Sequence, residues 1–193
     1  MYILFEGIDR VGKSTQIERL KNEMPDLLVT KEPGATPLGQ EIREILLHGL
    51  SPTPRAELFL FLADRAEHIQ KVIIPNKDRL IVSDRGFISG IAYAHIKTGI
   101  DIPTLRRLND LAMQGVYPDK IVFFEIDAQE LERRMKSSAL DSIEERGIDY
   151  LLDVQKSMKS LLKDLEIPYM IVDATKPEEE IFHTILPFIK GNE

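Results

Sequence analysis

The chain has 193 residues, of which 43% are hydrophobic and 30% are charged, as is typical of one soluble globular domain. It contains no cysteine, which excludes a disulfide framework and thiolate metal sites, and its net charge of −7 argues against a general nucleic-acid binder. We find no secretory signal and no apolar run near the roughly 20 residues of a membrane span, so we expect a single cytoplasmic domain over residues 1–193 with no membrane or nucleic-acid partner.

Strands and helices are predicted in alternation along the chain. Near-continuous runs of Ile, Val, Leu and Phe predict strands that are buried on both faces of a parallel sheet: Tyr2–Phe5, Leu27–Thr30, Leu80–Ser83, Ile121–Ile126 and Tyr169–Val172. Amphipathic stretches between them predict helices: Ser14–Asn22, Leu38–Leu47, Arg55–Ile74, Phe87–His95, Pro103–Gln114, Ala128–Lys136, Tyr150–Leu165 and Glu178–Ile189. Asp127 and Thr175–Pro177 are typical of helix starts. The alternation indicates an α/β fold with right-handed crossovers.

A phosphate-binding loop follows the first predicted strand. The motif G-x-x-x-x-G-K-S runs from Gly7 to Ser14 and is followed by Thr15. Gly7 and Gly12 let the chain turn and bring backbone N–H groups close to phosphate oxygens. Lys13 can reach the β- and γ-phosphates, and the Ser14 hydroxyl can hold Mg²⁺. We therefore assign the donor nucleotide's phosphates to these residues.

An acid and a base follow the third predicted strand. Asp84 and Arg85 come at its carboxyl end, which lies beside the first strand's loop in an open α/β sheet. Asp84 could hold Mg²⁺ through water, and Arg85 would face the phosphates. The alternative is a salt bridge that only closes the strand end.

Two further side chains are candidates for reading a base. Phe61 and Arg65 stand four residues apart, on one face of the long predicted helix. An aromatic ring can stack on a base while a guanidinium bonds its carbonyl edge. Taken alone the pair is weak evidence, because Phe59 and Phe61 could both belong to the core. Arg43, beside an apolar helix stripe, would by itself be only a solvated residue.

Several longer strings carry a resemblance to a known family. The sequence resembles the thymidylate kinase family of P-loop nucleoside monophosphate kinases along essentially its whole length. The Glu-Pro-Gly-x-Thr string with a downstream Arg is especially specific. The resemblance rests on FEGIDRVGKSTQ from Phe5, TKEPGATPLGQEIR from Thr30, FLADRAE from Phe61, DRGFISGIAY from Asp84, PDKIVFFEID from Pro118 and VDATKP from Val172.

The resemblance implies a fold and a reaction. It implies a five-stranded parallel sheet of order 2-3-1-4-5, flanked by helices, with a short lid near residues 134–147. It further implies ATP as phosphate donor, Mg²⁺, dTMP as acceptor, and a homodimer formed through helices that include the one carrying Phe61.

It also implies roles for single residues. For the acceptor, the matched positions are Asp9 near the sugar, Pro33 and Gly34 shaping the pocket, Arg43 and Arg85 on the phosphate, Phe61 and Arg65 on the thymine, Ser89 in the same pocket, and Tyr93 against the deoxyribose. For the donor, the loop from Asp173 to Lys176 would cradle the adenine, and Arg134 could contact ATP from the lid.

The chain departs from the family pattern in three places. Gly86 stands where the family normally has Tyr or Phe, so either Phe87 substitutes in space or the pocket is roomier. The lid carries Ser142 where an Arg is usual, whereas Arg10 occupies a loop position that is often small. We therefore expect Arg10, Lys13 and Arg85 to supply the catalytic charge, with Arg134 and Lys136 as alternative lid cations.

Two other functions stay open from the sequence. One is a related P-loop kinase with another acceptor, for which Gly86 is the best support. The other is a regulatory switch that binds a nucleotide and a protein partner, which would not require the full set of acceptor residues.

Overall fold

A computed structural model describes residues 1–47, 52–136 and 147–191. The strands are β1 Tyr2–Glu6, β2 Leu28–Lys31, β3 Ile81–Asp84, β4 Lys120–Glu125 and β5 Tyr169–Asp173. The helices are α1 Lys13–Glu23, α2 Pro37–Leu47, α3 Pro54–His68, α4 Phe87–Thr98, α5 Ile102–Met113, α6 Ala128–Met135, α7 Ile148–Lys163 and α8 Glu178–Lys190. Every predicted element is present, with bounds close to those expected except at the carboxyl end of α3.

The five strands form one parallel sheet in the order β2-β3-β1-β4-β5, which confirms the expected topology. β1 lies in the centre, with Phe5 paired to Asp84 on one side and to Val122 on the other. β2 and β3 lie on one side of β1, and β4 and β5 lie on the other. A crevice opens at the carboxyl ends of the central strands, where the strand order reverses direction. The phosphate loop and Asp84 both lie at this edge.

The prediction of burial on both faces holds for the central strands and is wrong for the edges. All five residues of β1 are buried. In the edge strand β5, Tyr169 and Ile171 are 39% and 41% exposed. An edge strand has a neighbour on one side only, so its run of apolar residues does not guarantee cover by helices.

The helix starts and ends follow from local chemistry. Asp127 begins α6 as expected, since its Oδ1 accepts a hydrogen bond of 2.8 Å from the Glu130 amide. The helix start predicted at Thr175–Pro177 is confirmed, because α8 begins at Glu178. No side chain caps this helix start. The long helix predicted to Ile74 instead changes at Ile69 to a π-helical turn and then to a 3₁₀ turn. Pro75 lacks the N–H that a continuing α-helix requires.

The expectations about a membrane span and about the lid can be compared only with the residues that the structure describes. No helix among residues 1–47, 52–136 and 147–191 is long and apolar enough to cross a membrane. The predicted lid covers residues 134–147, and its part at 137–146, including Ser142, lies outside the described residues.

Gln155 fastens α7 to the carboxyl end of the sheet. Its side-chain Oε1 accepts from the Ile126 amide at 3.0 Å, and its Nε2 donates to the Ile126 carbonyl at 2.9 Å. The side chain is buried, so both backbone groups of the residue after β4 depend on it.

We expect Gln155→Leu to lower the free energy of unfolding by about 2 kcal/mol or more, because it leaves a buried N–H and a buried C=O without partners. Urea unfolding measures this. Lys156→Ala is the matched control, since this side chain is 76% exposed and its ion pair with Asp153 contributes at most about 1 kcal/mol. Equal unfolding free energies for the two variants would contradict the role of Gln155.

Candidate active site

The phosphate loop joins β1 to α1 and requires its first glycine. Gly7 has a φ of 142°, and a Cβ there would lie 2.7 Å from the Phe124 carbonyl oxygen of β4. The Lys13 ammonium is buried and donates to the carbonyls of Gly7 and Ile8 at 3.0 and 2.8 Å. Burial lowers the pKa of Lys13 to about 8, although Asp84, Asp9 and Glu6 oppose the shift. The loop is therefore folded around its own cation.

Two cavities meet at this loop. The first, on the donor side, is lined by Gly12, Lys13, Ser14, Thr15, Asp84, Arg10, Arg134 and Lys176, among others. The second, on the acceptor side, is lined by Pro33, Phe61, Arg65, Gly86, Ser89, Gly90 and Tyr93, among others. Asp9, Glu32, Arg43 and Arg85 line both. Most of the predicted donor residues therefore lie in one cavity, and the predicted acceptor residues Asp9, Arg43 and Arg85 lie where it joins the other.

Arg85 stands at the junction of the two cavities. Its Nη1 donates to the Gly7 carbonyl at 2.8 Å and to the Ser89 hydroxyl at 3.2 Å, and its Nη2 donates to Asp9 Oδ1 at 2.5 Å. Burial opposes its charge, but Asp9 and neighbouring acids outweigh this and raise the pKa of Arg85. In turn, Arg85 and Lys13 lower the pKa of Asp9 in spite of its burial. Arg85 therefore stays cationic, and the alternative of a strand-end salt bridge is also realised, through Asp9.

Glu6 lies beneath this junction. It is fully buried, and the Ser89 amide donates to its Oε1 at 3.2 Å while the Ser89 hydroxyl donates to its Oε2. Burial raises the pKa of Glu6. The carboxyl holds the first turn of α4, which carries Ser89 and Tyr93 into the acceptor cavity.

Asp84 and Ser14 both line the donor cavity and offer oxygens to a cation. The Oδ1 atom of Asp84 is buried and has no hydrogen-bond partner among the described residues. A carboxylate oxygen left in this way beside a phosphate loop fits Mg²⁺, which prefers oxygen ligands and takes the rest of its shell from waters and phosphates. No group of three or more acidic, His or Cys side chains elsewhere in the described chain competes for a metal.

Arg65 is buried in a polar network rather than lying free on a helix face. Its Nε donates to Glu32 Oε2 at 2.9 Å, its Nη2 forms an ion pair with the same oxygen at 2.7 Å, and its Nη1 donates to Asn109 Oδ1 at 2.5 Å. A Cβ at position 90 would lie 2.9 Å from Nη1, so Gly90 makes room for the guanidinium. Phe61 and Arg65 both line the acceptor cavity, as their spacing predicts. Phe59 is 59% exposed, so the alternative that both phenylalanines are core is wrong.

Arg43 lies where the two cavities meet. Its Nη1 donates to the Pro33 carbonyl at 2.9 Å. A Cβ on Gly34 would lie 2.9 Å from the Arg43 Cδ, and Gly34 has a φ of 108°. The Arg43 side chain, which comes from α2, therefore crosses over the backbone of the loop that begins with Glu32.

At position 86 the structure decides between the two alternatives. Phe87 is 6% exposed and packs edge-on against Tyr117, with ring centroids 6.2 Å apart. The acceptor cavity is lined by Gly86, and a Cβ there would point to Leu4, at 2.8 Å from its Cδ1. Phe87 does not line this cavity, so it does not take the place of the missing aromatic ring.

Arg10 and Arg134 hold each other across the donor cavity. Arg134 Nη1 donates to the Arg10 carbonyl at 2.8 Å, and Arg10 Nη1 donates to the Arg134 carbonyl at 3.2 Å. Arg134 Nη2 also donates to the Ala174 carbonyl at 2.6 Å. Arg10, predicted to be catalytic, and Arg134, the alternative lid cation, therefore both lie at the donor side, and α6 is tied to the loop after β5.

Of the loop predicted to hold adenine, Lys176 lines the donor cavity. Asp173 accepts from the Thr175 amide and hydroxyl at 2.9 and 2.6 Å, which shapes the turn itself. Sequence reasoning missed Glu32, His68 and Asn109 as members of the site. Only Glu32 lay in a string singled out beforehand, and it carried no assigned role.

The chain is similar to known proteins along nearly its whole length. A family model for thymidylate kinase matches residues 5–185. Proteins named thymidylate kinase are 49% identical over 190 residues in Sulfurovum sp. (strain NBC37-1) and 51% identical over 193 residues in Campylobacter curvus (strain 525.92), each covering 98% of this chain and 100% of the relative. One from Helicobacter hepaticus is 45% identical over 94% of both chains. An enzyme is favoured over a regulatory switch, and the chain belongs to the thymidylate kinase family.

Proposed function

We propose that this chain transfers the γ-phosphoryl group of ATP to dTMP, giving dTDP and ADP, with the aid of Mg²⁺. The observation that carries the proposal is the meeting of two cavities at Asp9 and Arg85, one built by a phosphate loop and the other by Phe61, Arg65 and Tyr93. Phosphoryl transfer depends on positioning and charge neutralisation, and both are supplied where the cavities join.

On the donor side, backbone N–H groups of the loop and the Lys13 ammonium hold the ATP phosphates. When bound, Mg²⁺ neutralises phosphate charge, and Ser14 and Asp84 are the residues that would hold it. Arg10 and Arg134 lie close enough to the loop to meet the phosphates, and Lys176 lies against the adenine together with the turn at Asp173.

On the acceptor side, Phe61 stacks on the thymine ring and Arg65 donates to its edge. Tyr93 packs against the deoxyribose where a 2′-hydroxyl would stand, and Asp9 lies near the sugar. Arg43 and Arg85 hold the phosphate that is attacked. Pro33 and Ser89 complete the pocket wall.

A homodimer through the face of α3 and α5 is part of the same proposal. Phe59 on α3 and Leu111 on α5 are 59% and 78% exposed. Gln114, just after α5, donates to the Ala66 carbonyl of α3 at 3.1 Å, so the two helices present one surface. Exposed large apolar side chains that share a surface favour a protein partner. A cytoplasmic location stays a prediction.

The acceptor is tested with a panel under identical ATP and Mg²⁺. We expect dTMP to give the highest kcat/KM among dTMP, dUMP, dCMP, dGMP and ribothymidine monophosphate, measured by ADP release. Gly86, at a position where the family normally has an aromatic residue, favours a different monophosphate as the second candidate. A higher kcat/KM for any other member of the panel would overturn dTMP as the substrate.

Phe61→Ala should raise the KM for dTMP far more than the KM for ATP, because loss of base stacking costs about 1–3 kcal/mol. Steady-state kinetics with each substrate varied in turn measures both. The matched control is Tyr169→Ala, which removes a partly exposed ring from the amino end of edge strand β5, away from both cavities. An unchanged KM for dTMP in Phe61→Ala would remove Phe61 from the base site.

Arg10→Gly should lower kcat by at least ~100-fold with little change in the KM for dTMP, because an Arg on the transferred phosphoryl group contributes ~10³–10⁵ to kcat. Arg10 has a φ of 65°, which glycine adopts readily, so the loop is preserved.

Single-turnover phosphoryl transfer in Arg10→Gly and Arg134→Ala separates the two cations, with Arg107→Ala on α5 as a control for loss of one positive charge. A large loss in Arg134→Ala beside a near-parent rate in Arg10→Gly would place the catalytic cation on α6 instead.

A further inference from the structure

His68, the last residue of α3, is a buried side chain that the proposed mechanism does not use. It is 0% exposed and does not line either cavity. Its Nδ1 lies 2.8 Å from Glu32 Oε1, and its Nε2 lies 2.8 Å from the Thr30 hydroxyl. The ring therefore spans from β2 to the first residue after that strand.

Glu32 is shared between this histidine and Arg65. Its Oε1 contacts His68, while its Oε2 accepts a hydrogen bond from Nε of Arg65 and is ion-paired with Nη2. Although burial opposes ionisation, Arg65 and His68 lower the pKa of Glu32. An ionised carboxylate can only accept, so Nδ1 of His68 carries a hydrogen and donates it to Oε1. Each carboxylate oxygen is thus held by a different side chain.

This arrangement fixes the plane of the Arg65 guanidinium. A guanidinium has five N–H groups in a rigid fork. Nε donates to Glu32 and Nη1 donates to Asn109, while Nη2 is ion-paired with the same Glu32 oxygen. The N–H groups left for a ligand take their direction from the plane of the Glu32 carboxylate. Without the hydrogen bond from His68 to Oε1, the Glu32 carboxylate could rotate, and the Arg65 guanidinium bound to it would change direction.

We propose that His68 is a positioning residue for base recognition, which acts through Glu32 to aim the Arg65 guanidinium at the acceptor base. The inference rests on the role of Arg65 in the proposed function. N–H groups fixed in this way donate to the O4 carbonyl of thymine and cannot pair with the amino group that cytosine carries at the same position. A site built to hydrogen-bond one group discriminates strongly against an analogue that leaves it unpaired.

Two amide substitutions separate the two contacts of the ring. In His68→Asn the side-chain amide nitrogen can take the place of Nδ1 and keep the bond to Glu32. In His68→Gln the longer side chain places its amide near the Nε2 position, towards Thr30. We expect His68→Gln to raise the KM for dTMP about tenfold, the effect of losing one hydrogen bond to a charged group, and to lower the dTMP/dCMP ratio of kcat/KM.

His68→Asn should stay near the parent in both measurements, and neither variant should change the KM for ATP. Equilibrium dialysis of dTMP without ATP should show the same difference in affinity. His183→Gln, at a side chain that is 70% exposed on α8, is the matched control. Equal KM values for dTMP in the Asn and Gln variants, or a KM for ATP that rises in parallel, would overturn the proposal.

Phe61→Ala in the same assays distinguishes failure of the positioning role of His68 from failure of the proposed acceptor site. If Phe61→Ala raises the KM for dTMP and His68→Gln does not, the positioning role fails while the acceptor site stands. If Phe61→Ala leaves that KM unchanged, the acceptor site itself is wrong and the inference falls with it.

Thr30→Val decides the question if either His68 variant fails to fold. It removes the hydroxyl that contacts Nε2 and keeps every group that contacts Glu32, at nearly constant volume. Because it keeps the Nδ1 contact with Glu32, as His68→Asn does, we expect parent KM values for dTMP and ATP. A raised KM for dTMP would show that the Thr30 contact, not the Glu32 contact, positions Arg65, and would overturn the proposal.

Discussion

The guanidinium of Arg85 makes the interaction on which the rest of the site depends. It joins the phosphate loop through the Gly7 carbonyl, the acceptor wall through Ser89, and the loop acid Asp9. Its backbone amide also extends the sheet by donating to the Phe5 carbonyl at 2.9 Å. One side chain at the end of β3 therefore fixes the distance between the donor and acceptor cavities, and in-line transfer requires that distance to be fixed.

Charge at the junction is arranged to receive two polyanions in a chain whose net charge is −7. Lys13, Arg43 and Arg85 line the cavities. Burial raises the pKa of Glu6, whereas Arg85 and Lys13 lower the pKa of Asp9. Under the proposed function, an incoming phosphate would compete with Asp9 for Arg85, so a substrate would exchange contacts that hold the free site together.

Local patterns in the sequence were enough to predict the central part of this fold. The glycines of the phosphate loop, the apolar runs of β1, β3 and β4, and the acid at the end of β3 each act through neighbours in sequence or through the common edge of a parallel sheet. The sheet order and the acceptor residues came from family resemblance. Neither local pattern nor resemblance identified the Glu32 network, because its bonds join residues 33, 36 and 44 positions apart. Phe87 shows the same limit, since only packing against Tyr117 reveals which way its ring points.

The three consecutive residues from Glu32 to Gly34 connect the two ends of the acceptor cavity. Glu32 accepts from Arg65, which we propose binds the base, and the Pro33 carbonyl accepts from Arg43, which we propose binds the phosphate. The Gly34 amide donates to Asp64 Oδ1 at 3.0 Å, which ties the same loop to the carboxyl half of α3. One short loop, held from α2 and α3, therefore links Arg43 to Arg65. Under the proposed function, this loop would fix the distance between the base and phosphate sites, and would so select acceptors by their length as well as form a wall of their pocket.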